Sequence, residues 1–307
     1  MRQTTLTIFV LLSSLLAPLF LAASSFGGEN VKVKHIFSIY SDEKEIGLKH
    51  PEGVACNNDS FLIVADTENS RLLKYELQDQ TLETAPTHIQ IPEIPYPIQI
   101  HLNSLGEIFV LDGKKRQIAR LTSEGIFKGY LAPAGIPSST SYVPRSFTID
   151  TNDDIYIVDI LYERILVLAA SGDFKKQIAF PKTCGFISDI AINPKGNILL
   201  IDSINATVFS ANRDSDIFSP LSASLKEYMR FPTSLASDQK SRIYVIDRNG
   251  GSIILLGQDG SFLDRQSGMG WKEGFLNYPS QICINRKGYI FIADTRNNRI
   301  QMFTVFQ

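Results

Sequence analysis

The sequence predicts an all-β fold made of six similar units. Each unit contains a short apolar run that ends in aspartate, and consecutive aspartates are 43 to 47 residues apart: Asp66, Asp112, Asp159, Asp202, Asp247 and Asp294. Fifteen residues before each aspartate stands a proline, except in the fourth unit, where Ile187 takes its place. A constant offset inside a slightly variable period indicates a structural repeat whose insertions lie in loops. Short β-branched and aromatic runs between turn residues predict four antiparallel strands per unit, which together form a six-bladed β-propeller.

The sixth unit shows the order of these strands most clearly. Pro279 precedes the first predicted strand, SQICIN, and the turn at 286–288 leads into the second strand, YIFIAD. The turn TRNN then leads into a third strand, RIQMF. In other units a further extended segment follows the third strand, for example at 87–91 and 174–180. These segments predict the fourth strand of each blade.

The N-terminal part of the repeat region is expected to complete the last blade. The sixth unit has three predicted strands before Gln307, whereas the extended segment 31–40 belongs to no unit. An N-terminal strand at the outer edge of the last blade gives every blade four strands and covers an exposed edge. We therefore expect a ring closed by this strand, in a propeller that spans residues 30–307.

The first residues of the chain differ from the repeats. Arg2 precedes the uncharged apolar run TLTIFVLLSSLLAPLFLAA, and small residues follow it at 22–25. This order is typical of a secretory signal peptide, which we predict at 1–27. The protein is then expected to be exported, to the periplasm or outside the cell. A retained membrane anchor is the alternative, because about twenty apolar residues can span a bilayer.

Composition and cysteine spacing limit the expected partners. The formal net charge is -2, with both signs interspersed, so we expect no nucleic-acid partner. The three cysteines are Cys56, Cys184 and Cys283, and an odd count leaves at least one thiol unpaired. Export would permit disulfides. The spacing matches neither a zinc site nor a Cys-x-x-Cys motif, and we interpret Cys56 and Cys283 as small buried apolar residues.

The units resemble the NHL repeat. The resemblance rests on the pattern Pro-x-Gly-Val-Ala, a turn, Ile-x-Val-x-Asp-Thr, Asn and Arg-Ile-x-x-Phe. It is strongest in the sixth unit, ADTRNNRIQMF, and in the first, PEGVA and ADTENSRLLKY, and it spans about residues 50 to 303. The resemblance implies a six-bladed propeller that serves as an interaction module, although a few propellers of this shape are enzymes. The resemblance identifies the fold but does not identify one particular function.

The repeated aspartates are interpreted as structural. Each ends a second strand, where its carboxylate can accept hydrogen bonds from turn amides. Arg71, Arg164 and Arg299 stand five residues after their aspartates and predict charge-assisted Asp–Arg pairs. A residue that is present in every blade points to six places and cannot form a single site.

Function is expected where the units differ. The residues after the repeat proline begin the first strand, near the mouth of the central channel, and they are polar and irregular. The candidate ligand-binding residues are Glu52, Gln99, Arg145, Asp189 and Gln281. Trp271, in a glycine-rich loop, is a further candidate as an aromatic anchor. The alternatives are a water-filled mouth in which Arg145 pairs with Asp189, and a loop that fills the groove between two blades.

We therefore expect an exported, non-catalytic binding or scaffold propeller for a protein, peptide or glycan, with no cofactor and no metal. The four histidines do not form a zinc-ligand set, and neither a Gly-x-Ser-x-Gly elbow nor a phosphate-binding glycine loop is present. The rival interpretation is a metal-assisted hydrolase or lyase that works at the mouth through Glu52, Asp189 and Gln281. A membrane contact is expected only if the N-terminal segment is retained.

Overall fold

The computed structural model describes residues 31–57, 61–78, 80–82, 85–137 and 141–306, and shows six antiparallel sheets arranged as blades of a ring. The predicted six-bladed, all-β propeller is confirmed. The signal peptide predicted at 1–27 lies outside the described residues. Within the described ranges, the helical structure is two short 3-10 turns, and no helix is long and apolar enough to cross a membrane.

The strands of the first three blades follow the N-terminal strand β1 (Lys32–Ile39). Blade one contains β2 (Gly53–Cys56), β3 (Phe61–Asp66), β4 (Arg71–Gln78), the two-residue β5 (Thr81–Leu82) at the far end of β4, and the outer β6 (Thr87–Gln90). Blade two contains β7 (Pro97–Leu102), β8 (Ile108–Asp112), β9 (Gln117–Leu121) and β10 (Phe127–Tyr130). Blade three contains β11 (Pro144–Ile149), β12 (Ile155–Asp159), β13 (Arg164–Leu168) and β14 (Phe174–Ala179).

The last three blades have the same order. Blade four contains β15 (Ile187–Ile192), β16 (Ile198–Asp202), β17 (Thr207–Ala211) and the short β18 (Ser219–Pro220). Blade five contains β19 (Pro232–Ser237), β20 (Ile243–Asp247), β21 (Ser252–Leu256) and β22 (Phe262–Ser267). Blade six contains β23 (Ile282–Ile284), β24 (Tyr289–Asp294) and β25 (Arg299–Phe306). The 3-10 turns, Thr67–Asn69 and Thr295–Asn297, precede the third strands of blades one and six.

The ring is closed by β1 in blade six. It pairs antiparallel with β25, from Lys32 opposite Phe306 to Ile39 opposite Ile300. The N-terminal strand therefore supplies the fourth strand of the last blade, as the strand count predicts. Lys32 also forms a 2.7 Å ion pair with Asp264 of blade five.

The hydrophobic core lies between the blades. Six clusters of buried side chains are found among the described residues, and each joins two neighbouring blades. In the second strand of blade four, Leu200 faces blade three and Leu199 faces blade five. Because both faces of a sheet are covered, these strands are continuously apolar rather than alternating.

The turn after each aspartate ends in a residue with a left-handed backbone conformation in every blade. The residue before the third strand has a φ between 49° and 61°, at Ser70, Arg116, Glu163, Ala206, Gly251 and Asn298. Such left-handed residues are uncommon outside glycine and asparagine. Gly251 is also required for space, because a Cβ there would lie 2.5 Å from the carbonyl oxygen of Leu276.

The repeat aspartates are buried and accept hydrogen bonds from two directions. Asp202 accepts from the backbone N–H groups of Gly185 and Phe186 in the loop before blade four. It also accepts from Ile204 and Asn205 in the turn before the third strand. Burial alone would raise the pKa of Asp202, but these amides hold it below its usual value. The carboxylate thus links the incoming loop to the turn. The sequence predicted the hydrogen bonds from the turn amides but not those from the loop.

The predicted Asp–Arg pairs are present in three blades. The Nε atoms of Arg71, Arg164 and Arg299 lie 2.7, 2.8 and 2.7 Å from the carboxylates of Asp66, Asp159 and Asp294. All six side chains are buried. These pairs connect the end of the second strand to the start of the third.

Asp112 in blade two lacks half of this hydrogen-bond set. It accepts from the turn amides of Lys114 and Lys115, but its Oδ2 atom has no hydrogen-bond partner among the described residues. Two residues before the repeat proline, blades one, four, five and six offer an N–H group to the aspartate. Blade two has Pro95 at that position, and a proline nitrogen carries no hydrogen.

Hydroxyl groups directly after three of the aspartates link neighbouring blades. Each donates to the carbonyl oxygen of the next repeat proline: Thr67 to Pro97 at 2.7 Å, Ser203 to Pro232, and Thr295 to Pro51 at 2.9 Å. These bonds run from blade one to two, from four to five and from six to one. The repeat therefore fixes both the inside of a blade and its contact with the next.

Removal of β1 should weaken the ring. A chain that starts at Ser41 leaves the apolar edge of β25 without a partner and loses ladder hydrogen bonds of about 1 kcal/mol each. We expect a lower melting temperature and concentration-dependent aggregation relative to a chain that starts at Asn30. Light scattering and thermal unfolding check this, and equal behaviour of the two chains would contradict the closure.

The aspartates of blades four and two should differ in their contribution to stability. We expect Asp202→Asn to lower the free energy of unfolding by about 2 to 3 kcal/mol at pH 7, because it disturbs four amide bonds to a charged acceptor. Asp112→Asn should lower the free energy of unfolding by about 1 kcal/mol or less, since one oxygen of Asp112 already lacks a hydrogen-bond partner among the described residues. Urea unfolding measures both.

The effect of Asp202→Asn should also depend on pH. The folded-state pKa of Asp202 is lowered, so its stabilisation is present above the unfolded pKa and is lost as pH falls through the folded pKa. The difference in the free energy of unfolding between the wild type and Asp202→Asn should therefore become smaller at acidic pH. Equal losses for the Asp202 and Asp112 variants at pH 7 would be inconsistent with this account.

Candidate functional site

The residues that follow each repeat proline meet at one end of the central channel, here called the mouth. A cavity of about 60 Å³ lies there, with room for a few water molecules. Every blade contributes to its wall: Glu52, Ile98, Gln99, Arg145, Ser146, Ser188, Asp189, Thr233, Ser234, Arg248, Ser280 and Gln281. The structure thus brings together five of the six candidate residues, and leaves Trp271 outside.

The second residue after each repeat proline position forms the floor of the mouth. The side chain is small in blades one, three and five, and longer in blades two, four and six: Gly53, Gln99, Ser146, Asp189, Ser234 and Gln281. All six residues are buried. The alternation leaves room for the three longer side chains to reach across the channel. They close it with a polar layer, here called the plug.

Asp189 lies at the centre of the plug. Its Oδ1 atom accepts hydrogen bonds from Gln99 Nε2 at 3.1 Å and from the Ser146 hydroxyl. Its Oδ2 atom accepts from the Ser234 hydroxyl at 2.8 Å and from the Leu235 N–H at 3.0 Å. Burial raises the pKa of Asp189, and the hydrogen bonds from Ser146, Ser234 and Leu235 oppose that shift. One carboxylate therefore joins blades two, three, four and five.

Gln281 joins the remaining blades. Its amide oxygen accepts from the N–H groups of Val54 at 3.0 Å and Ile100 at 3.1 Å, and its Nε2 donates to the Ile100 carbonyl at 3.0 Å. A blade-six side chain thus reaches blades one and two. Gly53 keeps this region open, because a Cβ there would lie 2.9 Å from the Cβ of Ala65 and 3.2 Å from Ile100 Cγ1.

Three charged side chains line the mouth above the plug: Glu52, Arg145 and Arg248. Among the described residues, neither guanidinium forms an ion pair, and that of Arg145 lies 5.6 Å from the ring centre of Phe186. The expected pair of Arg145 with Asp189 is not formed, because Asp189 is already held by hydroxyl and amide donors. The buried Nε atom of Arg145 has no hydrogen-bond partner in the described structure. Above the plug, the mouth therefore contains two arginines without an ion-pair partner and the Glu52 carboxylate, and the Asp189 carboxylate lies in the floor below them.

The charges at the mouth are poorly solvated. Burial raises the pKa of Glu52, while Arg248, the Tyr96 hydroxyl and Arg145 act in the opposite direction. Burial lowers the pKa of Arg145, Asp189 opposes this effect, and Arg248 adds to it. Because the loss of water disfavours the charged form of Arg145, an anion at the mouth would stabilise that charge.

Arg248 is the residue that the sequence analysis missed. It follows the repeat aspartate of blade five, at the position where other blades have Thr67, Gly113, Ile160, Ser203 and Thr295. A comparison of the units at this second position would have found it, since it is the one charged residue among the six. Its guanidinium lies 5.9 Å from the ring centre of Tyr278.

Trp271 lies in the loop before blade six and is 76% exposed. It does not fill the groove between two blades, so that alternative is wrong for this residue. Arg299 donates to the backbone carbonyls of Lys272 and Phe275, which anchors the loop near the Asp294 end of the blade. Since the aspartates end their strands on the mouth side, Trp271 stands on the same face, at its outer rim. Phe275 and Met269 are also exposed there.

The residues at the mouth are a poor ligand set for a metal ion. Both carboxylate oxygens of Asp189 and the amide oxygen of Gln281 already accept hydrogen bonds within the plug. Among the described residues, the group of three side chains with suitable ligand atoms is Asp42, Glu43 and His88, and β6 places His88 on the outer side of blade one. His101 packs below the plug, and burial lowers its pKa to about 4, so it is neutral at pH 7.

A family model matches the last unit of the repeat. The model described as NHL repeat matches residues 276–303, which include β23, β24 and the start of β25. The chain is a six-bladed β-propeller with an NHL repeat in its last blade. No curated protein sequence matches the chain.

Solved structures support the fold of this propeller. A virginiamycin B lyase from Staphylococcus aureus is 14% identical, with 89% of this chain and 99% of that chain covered and a TM-score of 0.61. A gluconolactonase from Xanthomonas campestris is 10% identical, with 90% of each chain covered and a TM-score of 0.66. A chain of a nidogen/laminin complex is 18% identical, with 76% and 85% covered and a TM-score of 0.60. At these identities the similarity establishes the fold alone.

The plug should contribute to stability through Gln281. We expect Gln281→Leu to lower the free energy of unfolding by about 3 kcal/mol or more, because it leaves the buried N–H groups of Val54 and Ile100 without an acceptor. Gln239→Leu, at an exposed position, is the matched control and should change stability by less than about 0.5 kcal/mol. Urea unfolding measures both, and similar losses in the two variants would argue against a structural plug.

Proposed function

We propose that this protein is an exported, non-catalytic binding propeller that recognises a carboxylate-bearing protein or peptide at the mouth. The observation that carries the proposal is the pair of arginines without ion-pair partners above a closed floor. Each guanidinium offers several N–H donors in a planar arrangement that suits a carboxylate. The orphan hydroxyl of Thr233, which also lines the cavity, offers a further polar contact.

The size of the mouth favours part of a partner over a whole small molecule. Sites for drug-sized ligands have volumes of roughly 300 to 1,000 Å³. A cavity of about 60 Å³ suits a single side-chain or terminal carboxylate, with the rest of the partner on the surrounding face. The cavity wall contains two arginines and two carboxylates, but Asp189 is covered by its hydrogen bonds in the plug, so Glu52 is the carboxylate that opposes an anion above it.

The loop that holds Trp271 supplies a second contact for the same partner. Exposed tryptophan and phenylalanine side chains are typical anchors of protein interfaces. Trp271 and Phe275 lie on the mouth face, so a peptide could place an apolar side chain against them and its carboxylate between the arginines. A glycan that contains uronate carries the same carboxylate group and is the other class of partner that fits these arginines.

Peptide selection tests the proposal directly. A random peptide library is selected on the wild-type protein and counter-selected on the double variant Arg145→Gln and Arg248→Gln. We expect the enriched peptides to carry Asp, Glu or a free C-terminus, and to bind the double variant at least about tenfold more weakly, the equivalent of 1.4 kcal/mol. The chain has one tryptophan, Trp271, so its fluorescence reports binding without a label.

Two variants control the charge and the site. Arg230→Gln removes the same charge from an exposed position close to blade five and should change affinity less than about twofold. Glu52→Gln removes the opposing carboxylate and should strengthen binding. Peptides without acidic groups, or equal losses in Arg230→Gln and the double variant, would refute recognition at the mouth. Binding of uronate oligosaccharides in place of peptides would assign the partner to glycans.

The metal-assisted hydrolase or lyase remains the second interpretation of the same face. Its support is that lyases and lactonases share this fold. Its proposed residues Asp189 and Gln281 would have to leave the plug before they could bind a metal. Lactone or ester turnover that depends on an added divalent metal and is lost in Asp189→Asn would favour it over the binding function.

A further inference from the structure

Two cysteines meet at the junction where the ring closes. Cys56 ends β2 of blade one, and Cys283 lies in β23 of blade six. Both are half-buried and pack against the same hydrophobic cluster between these blades. The inner strands β2 and β23 are neighbours, and the two thiols lie close enough that Cys56 affects the pKa of Cys283. The interpretation of both as small buried apolar residues is therefore incomplete, because it missed their contact.

We propose that Cys56 and Cys283 form a disulfide that joins the first and last blades. The two residues are 227 positions apart (283 minus 56), so the bond would close a loop that contains most of the propeller. The β1–β25 pairing closes this junction on its outer side. The disulfide would close it on the inner side, next to the channel.

The third cysteine lies elsewhere. Cys184 is in the loop before β15 and packs against the cluster between blades three and four. Two adjacent thiols and one distant thiol account for the odd number of cysteines. The pairing is therefore predicted to be unique, with Cys184 left as a thiol.

Cys56 can be reached by an oxidant. It lines a cavity of about 490 Å³ at the other end of the channel, together with the turns after the first strands of blades two and three. The reaction is thiol–disulfide exchange with a disulfide R–S–S–R. The Cys56 thiolate attacks one sulfur and releases R–SH, and Cys283 then attacks the Cys56 sulfur of the mixed disulfide and releases the second R–SH. Two protein thiols are oxidised, and one disulfide is reduced to two thiols that carry both hydrogens.

The environment of Cys283 sets the expected rate of disulfide formation. Burial raises the pKa of its thiol, and the contact with Cys56 adds to the shift. Little thiolate is then present at neutral pH, so the second step should be slow and should accelerate with pH or with an exchange catalyst. An oxidising compartment, which export through residues 1–27 would provide, favours the product.

Thiol counting tests the bond on the purified full chain. The folded protein is incubated with oxidised glutathione at pH 8.5, denatured, and labelled with a maleimide. We expect one labelled cysteine, Cys184, and a linked Cys56–Cys283 peptide in unreduced proteolytic digests. Three labelled cysteines, stable glutathione adducts on the pair, or a linkage to Cys184 would overturn the proposal.

Variants separate the pairing from other oxidation. Cys184→Ser should retain the linked peptide and show no labelled thiol after oxidation. Reduction should lower the melting temperature of the wild type and of Cys184→Ser by roughly 5 to 10 °C. Reduction should not change the melting temperature of Cys283→Ser. If Cys283→Ser fails to fold, the wild type and Cys184→Ser still decide the question, and an unchanged melting temperature in both would contradict a closing bond.

Discussion

The buried aspartate at the end of each second strand is the interaction on which the rest of the propeller depends. Its carboxylate holds the turn that leaves the second strand and, except in blade two, the loop that enters the blade, as the four amide bonds to Asp202 show. Both segments lie at the mouth end of the blade. The aspartate therefore sets the position of the first residues of each inner strand. Those residues build the plug and the mouth, so the structural repeat fixes the place of the functional surface.

The candidate site arises from departures from this repeat. Six blades supply equivalent backbone positions around one axis, and the side chains at those positions differ. Small residues in alternate blades let Gln99, Asp189 and Gln281 meet near the axis, where neutral amides and hydroxyls satisfy them. The arginines above have no such partners. A closed polar floor with unpaired cations over it is a surface that can accept an anion and has little room for a large one.

The same geometry explains why fold similarity says little about function here. A lyase, a gluconolactonase and a chain of a nidogen/laminin complex share the ring of blades with this protein. The repeated residues of a propeller stabilise blades, whereas its chemistry depends on a few side chains at the mouth. In this chain, the Asp189 carboxylate is held in the plug by hydrogen bonds from three other blades. That leaves Arg145 and Arg248 as the groups most available to a partner.

The sequence by itself determined the features that repeat. A period of about 45 residues with a constant Pro-to-Asp offset was sufficient to predict six blades and the strand order, because both are local properties of one unit. The closing strand followed from counting strands over all the units. The repeat also located most of the mouth, since equivalent positions of a repeat must meet at the axis. Only the tertiary structure decided which of these side chains bond to one another. The contacts of Gln281 with blade two, of Asp189 with blade five and of Cys56 with Cys283 join residues far apart in the chain. Each depends on how far one side chain reaches and how small its neighbours are, and no pattern within a single unit encodes that.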